Sequence, residues 1–183
     1  MRIIIGLGNP GREYDNTRHN AGFMALDALA KKAGLNWTIN KKFNAATAES
    51  GGVLLVKPLT YMNNSGQSAQ IVMAYYKLLP KTLGLLRRTD TDLSELLTVI
   101  HDDLDIRLGE YKISVDSRSA GHRGVESIIR HLKTKNFKRL RIGIKNDKPE
   151  QMPTEKYVLG HFNAQEAETI NKLITEKILT ELI

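Results

Sequence analysis

The chain has 183 residues, 41% of them hydrophobic and 26% charged, with no cysteine and a formal charge of +7 at pH 7. This length suits one domain with its own core, and the lack of cysteine excludes disulfides and thiolate chemistry. The basic balance, with a pI near 9.6, favours a polyanionic partner such as nucleic acid. The apolar run at Ile3–Leu7 is far shorter than the about 20 residues of a membrane span or the core of a signal peptide, so a cytoplasmic protein with no membrane partner is expected.

In chain order, Ile3–Ile5 reads as a buried strand, followed by Gly6-Leu-Gly-Asn-Pro-Gly11. Ala21–Ala33 reads as a helix, with Phe23, Leu26, Leu29, Ala30 and Ala33 spaced for one face and Gly34 marking its end. Asn44–Glu49 and Val53–Val56 flank Ser50-Gly51-Gly52, a hairpin signal, and Pro58 stops the second strand. Ser65–Tyr76 reads as a helix, with Ser65 as its expected cap. The stretch 79–95 has no clear period and reads as a surface excursion, mobile when free, with Asp92 and Glu95 capping a short turn. Leu97–Ile100 reads as a buried strand ending at His101-Asp102-Asp103, and Tyr111–Val115 as a more exposed one. Val125–Leu132 reads as a helix starting just after Gly124. Leu140–Ile144 suits a strand. At 164–182, Ala167, Ile170, Ile174, Ile178 and Leu182 mark an amphipathic helix. Interleaved strands and helices predict a single α/β domain, and the hairpin makes its twisted sheet mixed, flanked by helices.

Gly6, Gly8 and Gly11 have the spacing of a dinucleotide-binding loop, which needs a helix to follow at once. Pro10 removes an amide donor and restricts Asn9 to extended backbone, and the next helix is delayed. A nucleotide-dependent oxidoreductase also predicts an acidic residue ending a second parallel strand, where the Gly51-Gly52 hairpin stands instead. Asn9, at the carboxyl end of a buried strand, is better placed to offer its donor and acceptor to a crevice.

Five histidines are present, His19, His101, His122, His131 and His161, with no zinc-ligand spacing among them. No Gly-x-Ser-x-Gly elbow for a nucleophilic serine occurs. What remains is a set of polar residues at strand ends and helix starts: Asn9, His19, Asn63, Asp102 and Gly121-His-Arg-Gly124. His19 beside Asp102 makes a general base with an orienting carboxylate, and Asn9 and Asn63 can donate to a carbonyl or oxyanion. Such a set suits attack by water on an activated acyl group. Each residue also has a structural use. His19 can cap the following helix, Asp102 can end a strand, Asn63 can be a loop residue capping the next helix, and His122 can lie at the surface. His131 and His161 are assigned no function. Late in the chain Lys133, Lys135, Lys138, Arg139 and Arg141 cluster. Alternation around Leu140 puts Arg139 and Arg141 on the non-core face, where Lys112 and Arg123 can extend a phosphate-binding patch.

Six segments in this order resemble the bacterial-type peptidyl-tRNA hydrolases: Gly6-Leu-Gly-Asn-Pro-Gly11, Thr17-Arg-His-Asn-Ala-Gly22, Lys57-Pro-Leu-Thr-Tyr-Met-Asn-Asn-Ser-Gly66, His101-Asp-Asp-Leu-Asp105, Gly121-His-Arg-Gly124 and Arg139-Leu-Arg-Ile-Gly-Ile144. The resemblance covers nearly the whole chain. It implies a metal-free, cofactor-free, monomeric enzyme that cleaves the ester between a peptide and the terminal ribose of tRNA. By resemblance His19 is the base that activates water, Asp102 orients it, and Asn9 and Asn63 hold the reacting end of the substrate. Tyr61 and Met62 match the apolar lining of the cleft and, with Tyr14, Asn63, His122 and Arg123, make up the expected substrate-binding set. Lys112 and Arg141 match a basic pair that grips the terminal tRNA phosphate, with Arg139 beside them.

Three departures stand out. Arg123 replaces the family's asparagine. It has only donors and a permanent charge, and can pair with Asp102 and weaken its support of His19, slowing turnover by about 10-fold or more. The stretch 80–92 is longer than the family loop. The chain stops at Ile183, where relatives often carry a basic tail. Arg123 lends weight to a second reading, a weakly active or non-catalytic RNA-binding protein on the same scaffold.

Overall fold

The protein is described here by a computed structural model covering residues 1–79, 90–146 and 151–182. Its centre is β1 (Arg2–Gly6), whose Ile3 and Ile5 are buried against one side of the sheet and Ile4 against the other, as the period of two requires. β1 pairs in parallel with β4 (Val53–Pro58) and β5 (Leu97–Arg107), and β5 with β7 (Lys138–Lys145). β2 (Thr38–Asn40) and β3 (Ala45–Ser50) extend one edge, and β6 (Tyr111–Ser114) the other, all in antiparallel pairing. The seven-stranded sheet runs β2-β3-β4-β1-β5-β7-β6. It is mixed, and the β3–β4 hairpin turns at Gly51 and Gly52, both at positive φ, as a two-residue hairpin loop demands.

On one face α1 (Ala21–Lys32) and the C-terminal helical segment cover Ile4, Ile100, Leu140, Ile142 and Ile144. On the other, α2 (Ser65–Tyr75) and α3 (Arg123–Leu132) cover Ile3, Ile5, Val56, Leu97 and Val99. The glycines that mimic a nucleotide loop serve packing: a Cβ on Gly6 would strike the Gly22 carbonyl. This back-to-back pair lets α1 sit directly on β1, which brings the turn before α1 to the carboxyl end of the strand.

Several elements differ from expectation. β5 does not stop at His101. Asp102 and Asp103 continue in register with Ile142 and Gly143, and the register shifts only between Asp103 and Arg107. Charged residues look like a strand end, but at a sheet's carboxyl edge they can point to opposite faces and each find a partner. α3 starts at Arg123 because the His122 side chain accepts from the Gly124 and Val125 N–H groups. Ser65 is no cap: its hydroxyl donates to the Met62 carbonyl. Leu93 is buried in the core, so the far end of 79–95 is anchored. Asp92 accepts from the Ser94 N–H. The rest of that excursion falls mainly on 80–89, outside the described residues. Sequence reasoning also missed β2 and α4 (Thr154–Val158).

The C-terminal helix is three pieces: α5 (Ala164–Leu173), a wide π turn at Ile174–Ile178, and α6 (Leu179–Leu182). Residues four apart drift about 40° round an α-helix of 3.6 residues per turn. One wider turn subtracts from that drift and keeps Ile170, Ile174, Ile178 and Leu182 all buried. Among the described residues no helix is long and apolar enough to cross a membrane.

Candidate active site

A cleft of about 620 Å³ opens at the carboxyl end of the central strands. Its walls include Asn9, Tyr14, His19, Tyr61, Met62, Asn63, Asp102, His122 and Arg123. These are nine of the residues singled out in the sequence, drawn from four separate stretches of chain.

His19 lies in a 3-10 turn at Arg18–Asn20, just before α1. Its Nδ1 is 2.8 Å from Asp102 Oδ1, and both residues are buried. His122 Nε2 reaches the same Oδ1 at 3.0 Å. His122 Nδ1 accepts the two α3 amides at 3.2 and 3.3 Å, so its proton is assigned to Nε2, which donates to Asp102. Neutral His19 likewise donates from Nδ1 and keeps its lone pair on Nε2. Burial opposes ionisation of Asp102. The attraction of His19 and His122 and their hydrogen bonds outweigh it and hold the carboxyl well below the usual carboxylate range. Asp102 is therefore a permanent anion shared by two imidazoles. His19 bonds Asp102 and caps nothing.

His101 supports the cluster from behind. Its Nδ1 donates to the Asp102 carbonyl at 2.7 Å, and its ring packs 4.7 Å from that of His122. Burial, then repulsion from His122, pushes its pKa well below the usual histidine value, so it stays neutral.

Asn9 is oriented by the backbone around it. Its Oδ1 accepts from the Met62 N–H at 2.8 Å, which leaves Nδ2 as a donor on the cleft wall. Its own main chain is fixed by Asn20, which accepts from the Asn9 N–H at 2.8 Å and donates to the Asn9 carbonyl at 3.0 Å. Asn20 was quoted in the sequence only as part of a motif; nothing but the fold reveals this role. Asn63 is exposed on the cleft wall. Tyr14 and Tyr61 meet edge to face at 6.5 Å.

Arg123 does not approach Asp102 as anticipated. Its guanidinium turns outward and forms a two-pronged pair with Glu155 of α4 at 3.2 and 3.3 Å, both side chains exposed.

The basic patch also changes. Arg141 Nε donates to Asp103 Oδ2 at 2.8 Å, and Lys112 stands directly across the strand pair from it. Arg139 shares their side of the sheet but is 1% exposed. The β6–α3 connection folds over it, and its Nη1 donates to the Arg118 carbonyl at 2.8 Å. Alternation gave the correct side; the covering segment made that side interior. Arg139 is therefore removed from the exposed patch.

His19, Asp102 and His122 hold ligand-type atoms within 4.8 Å of one another, a grouping invisible as spacing along the chain. The hydrogen bonds within it define a base and its support.

The family model described as peptidyl-tRNA hydrolase matches residues 3–181. The chain belongs to the peptidyl-tRNA hydrolase family. The peptidyl-tRNA hydrolase of Gloeobacter violaceus is 40% identical over 178 residues, covering 95% of this chain and 82% of that protein. That of Bacillus cytotoxicus is 42% identical over 178 residues, covering 95% and 87%. A crystal structure of peptidyl-tRNA hydrolase from Acinetobacter baumannii superposes with a TM-score of 0.84 at 32% identity, covering all of this chain and 86% of that one. The fold of this chain, a mixed sheet flanked by helices, is therefore that of the hydrolase family, and the His19–Asp102–His122 cluster is its candidate catalytic centre.

Proposed function

We propose that the chain hydrolyses the ester joining a peptide, or an N-blocked amino acid, to the terminal ribose of tRNA. The observation that carries this is the 2.8 Å His19 Nδ1–Asp102 Oδ1 bond in a cleft that also presents Asn9 Nδ2. His19 Nε2 takes a proton from water as the water oxygen attacks the ester carbonyl. The carbonyl oxygen gains negative charge, which the amide hydrogens of Asn9 and Asn63 stabilise. The carbon–oxygen bond to the ribose then breaks, and the ribose oxygen recovers the proton from His19. The products are tRNA with its hydroxyl restored and a peptide carboxylic acid, which releases the second water proton to solvent and becomes a carboxylate. Asp102 stays ionised throughout and stabilises the imidazolium that forms. An ester is activated enough that base, water and donors suffice, so no metal or cofactor takes part.

Tyr14, Tyr61 and Met62 supply apolar and aromatic walls for the acyl end. His122 holds Asp102, and Arg123 lies at the rim. Lys112 and Arg141 bind the terminal phosphate by charge rather than by base sequence. The enzyme acts as a monomer in the cytoplasm, where its substrate arises. The Arg123–Glu155 pair takes weight from the non-catalytic RNA-binding reading, because the arginine leaves the catalytic cluster intact.

The test is release of N-blocked amino acid from tRNA without added metal. Turnover by the wild type and none by His19→Ala supports the reading. Salt-sensitive tRNA binding without turnover favours the RNA-binding module.

A further inference from the structure

The turn that carries His19 is fastened by three consecutive side chains to three distant parts of the fold. His19 bonds Asp102 in β5. Asn20 holds the backbone of Asn9 after β1. Arg18 reaches the C-terminal segment: its Nη2 donates to both carboxylate oxygens of Glu166, at 2.9 and 2.8 Å, and its Nη1 to the His161 carbonyl at 2.9 Å. The Arg18 N–H also donates to the Gly160 carbonyl at 3.0 Å. The guanidinium lies 4.5 Å from the Tyr157 ring centroid and 5.5 Å from that of Phe162.

Glu166 is equally committed. It is 4% exposed and also accepts from Asn146 Nδ2 at 3.0 Å and from the Asn163 N–H at 2.9 Å. The clamp is thus a charged pair set among aromatic rings, with both Arg18 terminal nitrogens and both Glu166 oxygens bonded and Arg18 Nε buried without a partner. The planar guanidinium divides its two terminal nitrogens between the Glu166 carboxylate and the His161 carbonyl, and these two separate anchors fix its orientation.

The backbone beside the turn is tied to the same segment, with Thr17 bridging His161 and the Phe162 N–H donating to the Asn16 carbonyl at 3.1 Å, so the Arg18 side chain strengthens an existing junction. Thr17, at its N-cap position, makes no capping bond through its side chain. Within the turn the Asn20 N–H donates to the Thr17 carbonyl at 3.0 Å and the Ala21 N–H to the Arg18 carbonyl. Arg18 is the chain neighbour of His19, so a shift of the Arg18 backbone moves the backbone that carries the imidazole. With its guanidinium engaged by Glu166 and His161, Arg18 is not placed to take a tRNA phosphate.

We infer that Arg18, clamped by Glu166, is a positioning residue for His19, and that the C-terminal helical segment sets the aim of the catalytic base through this pair. The inference rests on the reading of His19 as that base. Loss of the clamp lets the turn shift, and displacement of a catalytic group by about 1 Å costs on the order of 100-fold in rate.

The test uses the full chain, with rates scaled to the folded fraction well below the melting transition. Arg18→Met keeps the alkyl stem against Tyr157 and Phe162 but removes the guanidinium. It is expected to lower kcat by about 10- to 100-fold while KM for N-blocked aminoacyl-tRNA stays within about twofold, since the phosphate contacts are untouched. Arg18→Lys, which keeps the charge without the fork, falls between. In an Asp102→Asn background Arg18→Met adds no further loss, because both act through His19. Full kcat per folded molecule in Arg18→Met, a change in KM alone, or additive losses in the double variant would overturn the inference even if the melting temperature falls. If Arg18→Met does not fold, Glu166→Gln, which keeps the shape and one acceptor oxygen, carries the same expectations. His19→Ala is run in parallel. Turnover surviving in it removes the base assignment itself, whereas an inactive His19→Ala beside a fully active Arg18→Met removes only the positioning role.

Discussion

His122 Nε2 donates to Asp102 Oδ1 at 3.0 Å while the other nitrogen of the same ring caps α3. The helix end, the imidazole and the carboxylate form one unit, so the tautomer of His122 is set by the fold. His122→Ala loses both roles. Stability falls by about 1 kcal/mol for the cap, and kcat falls by about 10-fold as Asp102 loses one of its two donors. His122→Asn, which can cap, recovers the melting temperature without the rate. Thermal melts and steady-state kinetics on the two variants separate the effects.

Asp102 is ionised across any working pH, because His19 and His122 hold its carboxyl well below the usual range against its burial. Asp102→Asn keeps the shape but removes the charge that stabilises the His19 imidazolium. We expect kcat to fall by about 100-fold or more, with tRNA affinity unchanged in a filter-binding assay. A loss confined to affinity would contradict the assignment.

Arg123 and Glu155 are both exposed and paired at 3.2 Å, an arrangement worth at most about 1 kcal/mol. Arg123→Asn is expected to leave the melting temperature nearly unchanged and to raise kcat, by up to about 10-fold, because asparagine adds an acceptor at the cleft rim where arginine only donates. If KM rises while kcat stays constant, Arg123 is a binding contact for the substrate instead.

Lys112 and Arg141 face each other across β6 and β7, whereas Arg139 is buried beside them. Plotting the log of tRNA affinity against the log of salt concentration distinguishes them. Lys112→Ala and Arg141→Ala each reduce the slope by about 1. Arg139→Met lowers the melting temperature and leaves the slope alone.

Glu166 contributes to acid stability. Burial opposes its ionisation, but hydrogen bonds from Asn146, the Asn163 N–H and Arg18 lower its pKa below the usual glutamate value. A depressed carboxyl contributes stability above its unfolded pKa of about 4.3 and loses it as pH falls through the lower folded value. The wild type should therefore exceed Glu166→Gln in melting temperature by a constant margin above about pH 5, and the margin should shrink in more acid solution. A margin independent of pH down to acid unfolding would show that charge is not the cause.

Local chemistry determined much of this protein. Alternation in Ile3–Ile5, the Gly51-Gly52 turn and the four-residue apolar spacing after Ala167 define elements whose causes lie within a few residues. The motifs carried Asn9, His19, Tyr61, Met62, Asn63, Asp102, His122 and Arg123 of the cleft, because each chemical group is a single side chain at a fixed point in the chain, whereas its α4 wall lies outside them. What the sequence could not supply was distance. His19, Asp102 and His122 lie tens of residues apart along the chain, and only the sheet's carboxyl edge brings them onto one oxygen atom. The fate of three arginines was decided the same way. Arg139 is buried because a connection folds over its face. Arg123 is drawn outward by Glu155 on a helix the sequence did not reveal. Arg18 is fixed by a carboxylate 148 positions away. A charged side chain has no intrinsic destination; its partner, and the burial that strengthens or cancels the pairing, exist only in the folded chain.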